Sequence, residues 1–271
     1  MTSRAEGRFP RARKRFGQHF LEPAWVTKLI DAVRPDVDDT FLEIGPGRGA
    51  LTRALAPRVR RILAVEIDRD LAARLEAEGV PNLQVVTADV LDLDLGALLQ
   101  GERLPARAIG NLPYNVASPI LFRLLDAADE GRRLADATVM LQKEVADRLA
   151  AQPGDDAYGG LAIQAALLAD VERLMTLPPG AFRPPPKVTS AVVRLTFRRA
   201  VVDVGDRGTF ERVVRGVFLR RRKTLVNALR PVAESFGRSA AEVIDQAELN
   251  PGVRPETLTV EEFGRLCRAV L

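Results

Sequence analysis

Apolar positions along this chain follow two rhythms. From residue 40 to residue 198, short apolar runs alternate with amphipathic stretches. The runs at 40–44, 62–66, 83–87, 106–110, 137–142, 171–177 and 190–198 predict strands. Between them, apolar residues three and four apart predict helices near 49–57, 69–78, 116–128, 143–151 and 160–169. A further helix is expected over 23–34, opened by Pro23 and closed before Pro35. Strand–helix alternation through short connections is the pattern of a parallel sheet with helices on both faces.

The last two strands depart from that alternation. They follow each other through Leu177-Pro-Pro-Gly-Ala-Phe-Arg-Pro-Pro-Pro-Lys187, with no helix between them. A hairpin at the sheet edge is expected to be antiparallel, as in seven-stranded methyltransferase sheets and unlike a dehydrogenase. After about residue 199 the pattern turns helical, with helices expected at 207–219, 222–235, 239–246 and 259–270. Thr259 and Glu262 form a capping box, and Val260, Phe263, Leu266, Cys267 and Val270 then share one face, which makes Cys267 a core residue and not a nucleophile. The fold class is therefore α/β, a Rossmann-like seven-stranded class I methyltransferase sheet with a small all-helical C-terminal domain. The expected division is 1–199 for the sheet domain with its basic arm and 200–271 for the helical domain.

Composition narrows the setting. The 271 residues are 46% hydrophobic and 28% charged, enough for one large core and a smaller one. No apolar run approaches the roughly 18 residues of a membrane span. The basic start Met-Thr-Ser-Arg leads into no apolar stretch, so no signal peptide is expected. One cysteine permits no internal disulfide, which fits a reducing, cytoplasmic location, and one histidine beside it argues against a zinc site. A monomer is the plain expectation.

The net charge of +4 is unevenly spread. Residues 1–15 are net +5 and residues 207–230 net +7, so the remainder is net −8. Cations gathered at two places are an electrostatic footprint for phosphate backbones. Arg220, Arg221, Arg222 and Lys223 are the densest group and the candidate RNA contacts.

Two motifs carry the chemistry. The apolar strand Phe41-Leu-Glu-Ile44 runs into Gly45-Pro-Gly-Arg-Gly49, where Gly45 and Gly47 let the backbone approach a ligand that any Cβ would exclude. The spacing differs from the Gly-x-Gly-x-x-Gly of dinucleotide folds, and a nucleoside cofactor lacking pyrophosphate needs no helix N-terminus. Glu66 ends the second strand, placed to accept both ribose hydroxyls. Asp89 ends the third, placed to accept from the adenine amine, although a strand-end acid also serves as a turn former.

The second motif, Asn111-Leu112-Pro113-Tyr114, follows the fourth strand at the carboxyl edge of the sheet. An adenine N6 amine is a poor nucleophile because its lone pair is delocalised into the ring. The Asn111 side-chain oxygen and the Leu112 carbonyl can accept both N6 hydrogens and turn the nitrogen toward tetrahedral geometry. Pro113 donates nothing and keeps Leu112 extended, while Tyr114 offers a stacking face worth roughly 1–3 kcal/mol. Together the motifs point to methyl transfer from S-adenosylmethionine to an adenine.

On these residues the chain resembles the KsgA-type ribosomal RNA adenine dimethyltransferases, relatives of the Erm macrolide-resistance methyltransferases. The resemblance runs from Lys14 to the C-terminus. It is carried by Arg15-Phe-Gly-Gln-His-Phe-Leu21, Glu43-Ile-Gly-Pro-Gly47, Gly110-Asn-Leu-Pro-Tyr-Asn115, Met140-Leu-Gln-Lys-Glu144, Ala181-Phe-Arg-Pro-Pro-Pro-Lys-Val188 and Arg221-Arg-Lys-Thr224. It implies cofactor contacts at His19, Leu21, Gly45, Glu66, Asp89 and Asn111, with His19 standing where relatives frequently have Asn. It implies that Phe182 stacks the target adenine opposite Tyr114. It implies as substrate two adjacent adenosines in the 3′-terminal hairpin of 16S rRNA in the small (30S) subunit, each dimethylated at N6. Unpaired loop bases suit such a pocket.

Three other readings compete. An Erm-like enzyme would act on 23S rRNA; the Pro-rich loop at 184–186 and the basic Arg220–Lys223 segment look more like the small-subunit group. A DNA adenine methylase would more often follow Asn or Asp with two prolines, against Leu112. A non-catalytic RNA-binding assembly factor would not need Gly45, Glu66, Asn111 and Tyr114 intact.

Overall fold

The computed structural model describes residues 19–129 and 133–271; the basic arm expected at the N-terminus lies, through residue 18, outside the described residues. Seven strands form one sheet. In chain order these are β2 (Thr40–Ile44), β3 (Arg61–Glu66), β4 (Leu83–Thr87), β5 (Ala106–Asn111), β6 (Leu134–Gln142), β7 (Ala169–Leu177) and β9 (Ser190–Phe197). Their spatial order is β4-β3-β2-β5-β6-β9-β7. The pairs β2–β3, β2–β5, β3–β4 and β5–β6 are parallel. The last strand in sequence is thus inserted between β6 and the edge strand β7.

Burial explains the central position of β2. All five of its residues are buried, including Thr40 and Glu43, whereas edge strand β4 is half exposed. Helices α1 (Pro23–Val33), α2 (Ala50–Leu55), α3 (Arg69–Ala77), α4 (Leu95–Leu98) and α5 (Ala117–Asp129) connect the strands. Pro23 opens α1, and Arg34 closes it in a left-handed conformation at φ 53°. Asp68 caps α3 by accepting from the Asp70 amide at 3.1 Å.

One small element escaped the sequence. Strand β1 (Phe20–Leu21) pairs antiparallel with β8 (Phe182–Arg183), setting Leu21 opposite Phe182. Two residues are too few for any periodicity. The pairing fixes the start of the described chain beside the Pro-rich loop.

The chain divides into two compact units, and the boundary differs from the expected one at 199/200. One unit holds the chain to Lys143 together with Arg173–Arg194; the other holds Glu144–Glu172 and Leu195–Leu271. Helices α6 (Lys143–Leu149) and α7 (Gly160–Leu168) therefore lie largely or wholly with the C-terminal helices. The reason is burial. Ala162, Ile163, Ala165, Leu167 and Leu168 leave α7 no polar face, and it packs on α8 (Arg207–Phe218) and α11 (Val260–Val270).

The C-terminal unit also contains α9 (Leu225–Ser235) and α10 (Ala240–Gln246). Its core includes Phe210, Val213, Val217, Leu229, Phe263 and Cys267, all wholly buried. Burial pushes the Cys267 thiol up to about 12, so it is an inert packing group. The Thr259–Glu262 capping box is formed in both directions. Arg220–Lys223 lie in the turn between α8 and α9; Arg222 and Lys223, expected to begin the second of these helices, precede its start at Leu225. The chain reverses there so that α9 packs on α8, with Gly216 admitting Val232 where a Cβ would stand 2.3 Å from it.

Candidate active site

The carboxyl ends of β2, β3 and β5 open into a cleft of about 330 Å³, within the range of small-molecule sites. Its lining brings together His19, Leu21, Gly45, Gly47, Glu66, Asp89, Asn111 and Pro113, which the sequence had placed far apart. Ends of parallel strands on either side of the sheet centre are where open α/β sheets hold ligands.

The glycine turn forms the floor. Gly45 has φ 67°, and a Cβ there would meet nothing within 4 Å. Its positive φ, rather than crowding, demands glycine, and the open space above is available to a ligand. Glu66 staples the turn to β3: one carboxylate oxygen accepts the Gly47 amide and the other the Asp68 amide, each at 2.9 Å. Burial pushes the Glu66 carboxyl above its ordinary value, opposed by these amides. Each oxygen retains a lone pair for a ribose hydroxyl. Asp89 accepts the Leu91 amide at 2.9 Å through one oxygen, so it forms a turn as well as lining the cleft.

At the opposite wall, the Asn111 side-chain amide donates to the His19 carbonyl at 2.6 Å. That bond assigns the amide orientation, because a carbonyl only accepts, and it leaves Oδ1 as the free acceptor end. His19 in turn donates Nδ1–H to the Pro184 carbonyl at 2.7 Å. Its ring stacks on Tyr114, centroids 5.6 Å apart and planes 22° apart. The Tyr114 hydroxyl meets Ser190 Oγ at 2.7 Å, and burial keeps the phenol pKa above its usual value. Leu112 is buried, so only its backbone bears on the chemistry; its amide donates to Met140 O at 3.2 Å.

Phe182 is fully buried in the same hydrophobic cluster as Leu21, Leu29 and Ile30, and on β8 it pairs with Leu21. Among the described residues, the ring that stacks on Tyr114 is His19. Arg221 is likewise committed elsewhere, with its guanidinium 3.3 Å from Glu256 and donating to the Asp156 carbonyl at 3.0 Å. Arg220, Arg222 and Lys223 are exposed in the α8–α9 turn.

Sequence reasoning passed over Glu43. It is 1% exposed in the cleft wall, accepts Thr52 Oγ1–H at 2.7 Å through Oε2, and burial pushes its carboxyl up to about 7. A single acid inside the apolar run Phe41-Leu-Glu-Ile44 was the available signal, since a buried carboxyl is costly unless used.

Sheet order, glycine turn and strand-end acids together define a class I methyltransferase. The model of the family described as "Ribosomal RNA adenine dimethylase" matches residues 10–267. A protein of Xanthomonas euvesicatoria pv. vesicatoria named "Ribosomal RNA small subunit methyltransferase A" is 45% identical over 264 residues, covering 96% of this chain and 97% of its own. A protein of that name from Acidithiobacillus ferrooxidans is 43% identical over 269 residues, covering 98% and 97%. The crystal structure of a dimethyladenosine transferase from Plasmodium falciparum superposes with a TM-score of 0.76 at 25% identity, over 92% of this chain and 96% of that one. The 23S rRNA methyltransferase ErmE superposes with a TM-score of 0.63 at 26% identity, over 93% and 99%. The chain belongs to the ribosomal RNA adenine dimethylase family.

Proposed function

We propose that this enzyme dimethylates N6 of two adjacent adenosines in the 3′-terminal hairpin loop of 16S rRNA, within the small ribosomal subunit or its precursor, using S-adenosylmethionine. The observation that carries the chemistry is the Asn111–His19 hydrogen bond, which turns Asn111 Oδ1 into the available acceptor at the cleft wall. The small-subunit target rests on two curated relatives above 40% identity over nearly the whole chain.

The cleft residues fit this cofactor. Gly45 leaves open space, Glu66 lines the cleft and keeps acceptor capacity beyond its bonds to Gly47 and Asp68, and Glu43 Oε1 is a buried acceptor without a hydrogen-bond partner among the described residues. Leu21, Gly47 and Asp89 would complete the hold, Asp89 toward the adenine amine. When bound, S-adenosylmethionine supplies an electrophilic methyl group on a sulfonium.

This chain's own residues prepare the nucleophile. Asn111 Oδ1 accepts a hydrogen bond from one N6–H and the Leu112 carbonyl from the other, so the nitrogen pyramidalises with its lone pair toward the cleft; each methyl group gained displaces one N6 proton, which leaves to solvent. Pro113 keeps Leu112 extended, and Tyr114 supplies the stacking face. Alignment then lowers the barrier further. Arg220, Arg222 and Lys223 hold RNA phosphates. The enzyme works as a cytoplasmic monomer.

Incubating purified unmethylated small subunits with labelled S-adenosylmethionine and mapping modified nucleotides by mass tests this reading. Dimethyladenosine at two adjacent loop positions is expected. Label only in large-subunit RNA would replace it with the Erm-like reading, and RNA binding without transfer would leave an assembly factor.

A further inference from the structure

The turn after β5 holds its own backbone but not the Tyr114 ring. The Leu112 amide donates to Met140 O at 3.2 Å, and the Val116 amide to Pro113 O at 3.1 Å. Neither bond restrains the tyrosine side chain, which turns about two torsions, the second in a broad well. The ring is restrained from outside the turn. Its hydroxyl meets Ser190 Oγ at 2.7 Å, across 76 residues of chain, and one face lies against the His19 ring. These contacts divide the work. The phenol oxygen lies on the ring's own axis, so a bond there fixes where that axis points. Rotation about the axis is left to the His19 stack.

Ser190 is a firm anchor. It opens β9, and the preceding Thr189 carbonyl accepts the Lys143 amide at 3.0 Å, just past the end of β6. It begins the buried run Ser190-Ala-Val-Val193, where an apolar residue would suit the core equally well. Being 0% exposed, it touches neither RNA nor cofactor, so it acts only through a neighbour. A hydroxyl buried that far is costly unless bonded, and the bond it makes is to Tyr114. Resting on the stacking role given to Tyr114 above, we infer that Ser190 is a positioning residue for methyl transfer. Its hydroxyl aims the ring on which the target adenine stacks.

Single-turnover transfer to purified unmethylated small subunits, with both substrates saturating, measures that aim in the full-length protein. Ser190→Ala removes the anchor, and Tyr114→Phe removes the hydroxyl while keeping the ring. Each should slow transfer roughly 10-fold, between the worth of one hydrogen bond and the cost of a misplaced reactant. The double variant should be no slower than the slower single one, because both changes delete the same interaction. S-adenosylmethionine affinity of Ser190→Ala, measured by calorimetry, should match wild type; a weaker one would move the effect to the cofactor and overturn the inference. A merely structural bond would lower the melting temperature with transfer unchanged, or give losses in transfer that add, and either result overturns it. Tyr114→Ala separates this inference from the reading beneath it. Transfer lost there but kept in Ser190→Ala and Tyr114→Phe rejects the inference alone. Full transfer in Tyr114→Ala, or none by the wild type, rejects the underlying reading and the inference with it.

Discussion

The Asn111 amide is held by the backbone of His19, 92 residues earlier, through a 2.6 Å hydrogen bond. The acceptor face of this side chain is thus set by the residue that immediately precedes β1, a strand of two residues. His19 is itself held to the Pro-rich loop through Pro184. Orientation of the amide depends on this local clasp, not on the large sheet alone.

Asn111→Ala removes the acceptor while leaving the floor of the cleft. Single-turnover methyl transfer should fall by about 100-fold or more, the order seen when one hydrogen bond to a transition state is removed. Asn111→Asp keeps an acceptor but faces the His19 carbonyl without a donor, and should also be impaired. Near-wild-type turnover in Asn111→Ala would remove the residue from the chemistry.

Glu66→Ala removes a ribose acceptor and also strands the Gly47 and Asp68 amides. Cofactor affinity measured by calorimetry should drop by roughly 10- to 100-fold, the range for hydrogen bonds to a charged group. An unchanged dissociation constant would assign Glu66 to loop architecture alone.

The Glu43 carboxyl makes stability depend on pH. Its folded-state pKa is raised from 4.5 to about 7, so it favours the folded state at acid pH and that contribution is lost as pH rises toward 7. Glu43→Gln should therefore be more stable than wild type above pH 7 without cofactor, by up to on the order of 3 kcal/mol. Thermal melts across pH 5–8 check this, and parallel curves for the two proteins would contradict it.

Phe182→Ala should behave as a core deletion, costing about 3–5 kcal/mol of stability. Tyr114→Ala should instead lower turnover with a smaller fall in melting temperature. Loss of base binding in Phe182→Ala at unchanged melting temperature would restore a stacking role to that ring.

Neutralising Arg220, Arg222 and Lys223 together should reduce the salt slope of RNA binding by about 0.7–0.9 for each phosphate no longer neutralised. Arg221→Ala should leave the slope nearly unchanged and lower the melting temperature, because its guanidinium serves Glu256 and Asp156. Equal loss of slope from Arg221→Ala alone would put it on the RNA.

Much of this enzyme is written in local pattern. The seven main strands, the C-terminal helices, the capping box at Thr259 and the series Gly45, Glu66, Asp89, Asn111 all follow from periodicity and turn chemistry, which act over a few residues. The tertiary structure decided what depends on partners distant in sequence. Phe182 is buried where β8 pairs with β1, Arg221 was claimed by Glu256, and α7 joined the C-terminal helices because α8 and α11 pack on its apolar surface. Glu43 could be read as an acid in an apolar strand. Its burial beside Glu66, with one oxygen unpartnered among the described residues, arises only when two neighbouring strands close over it.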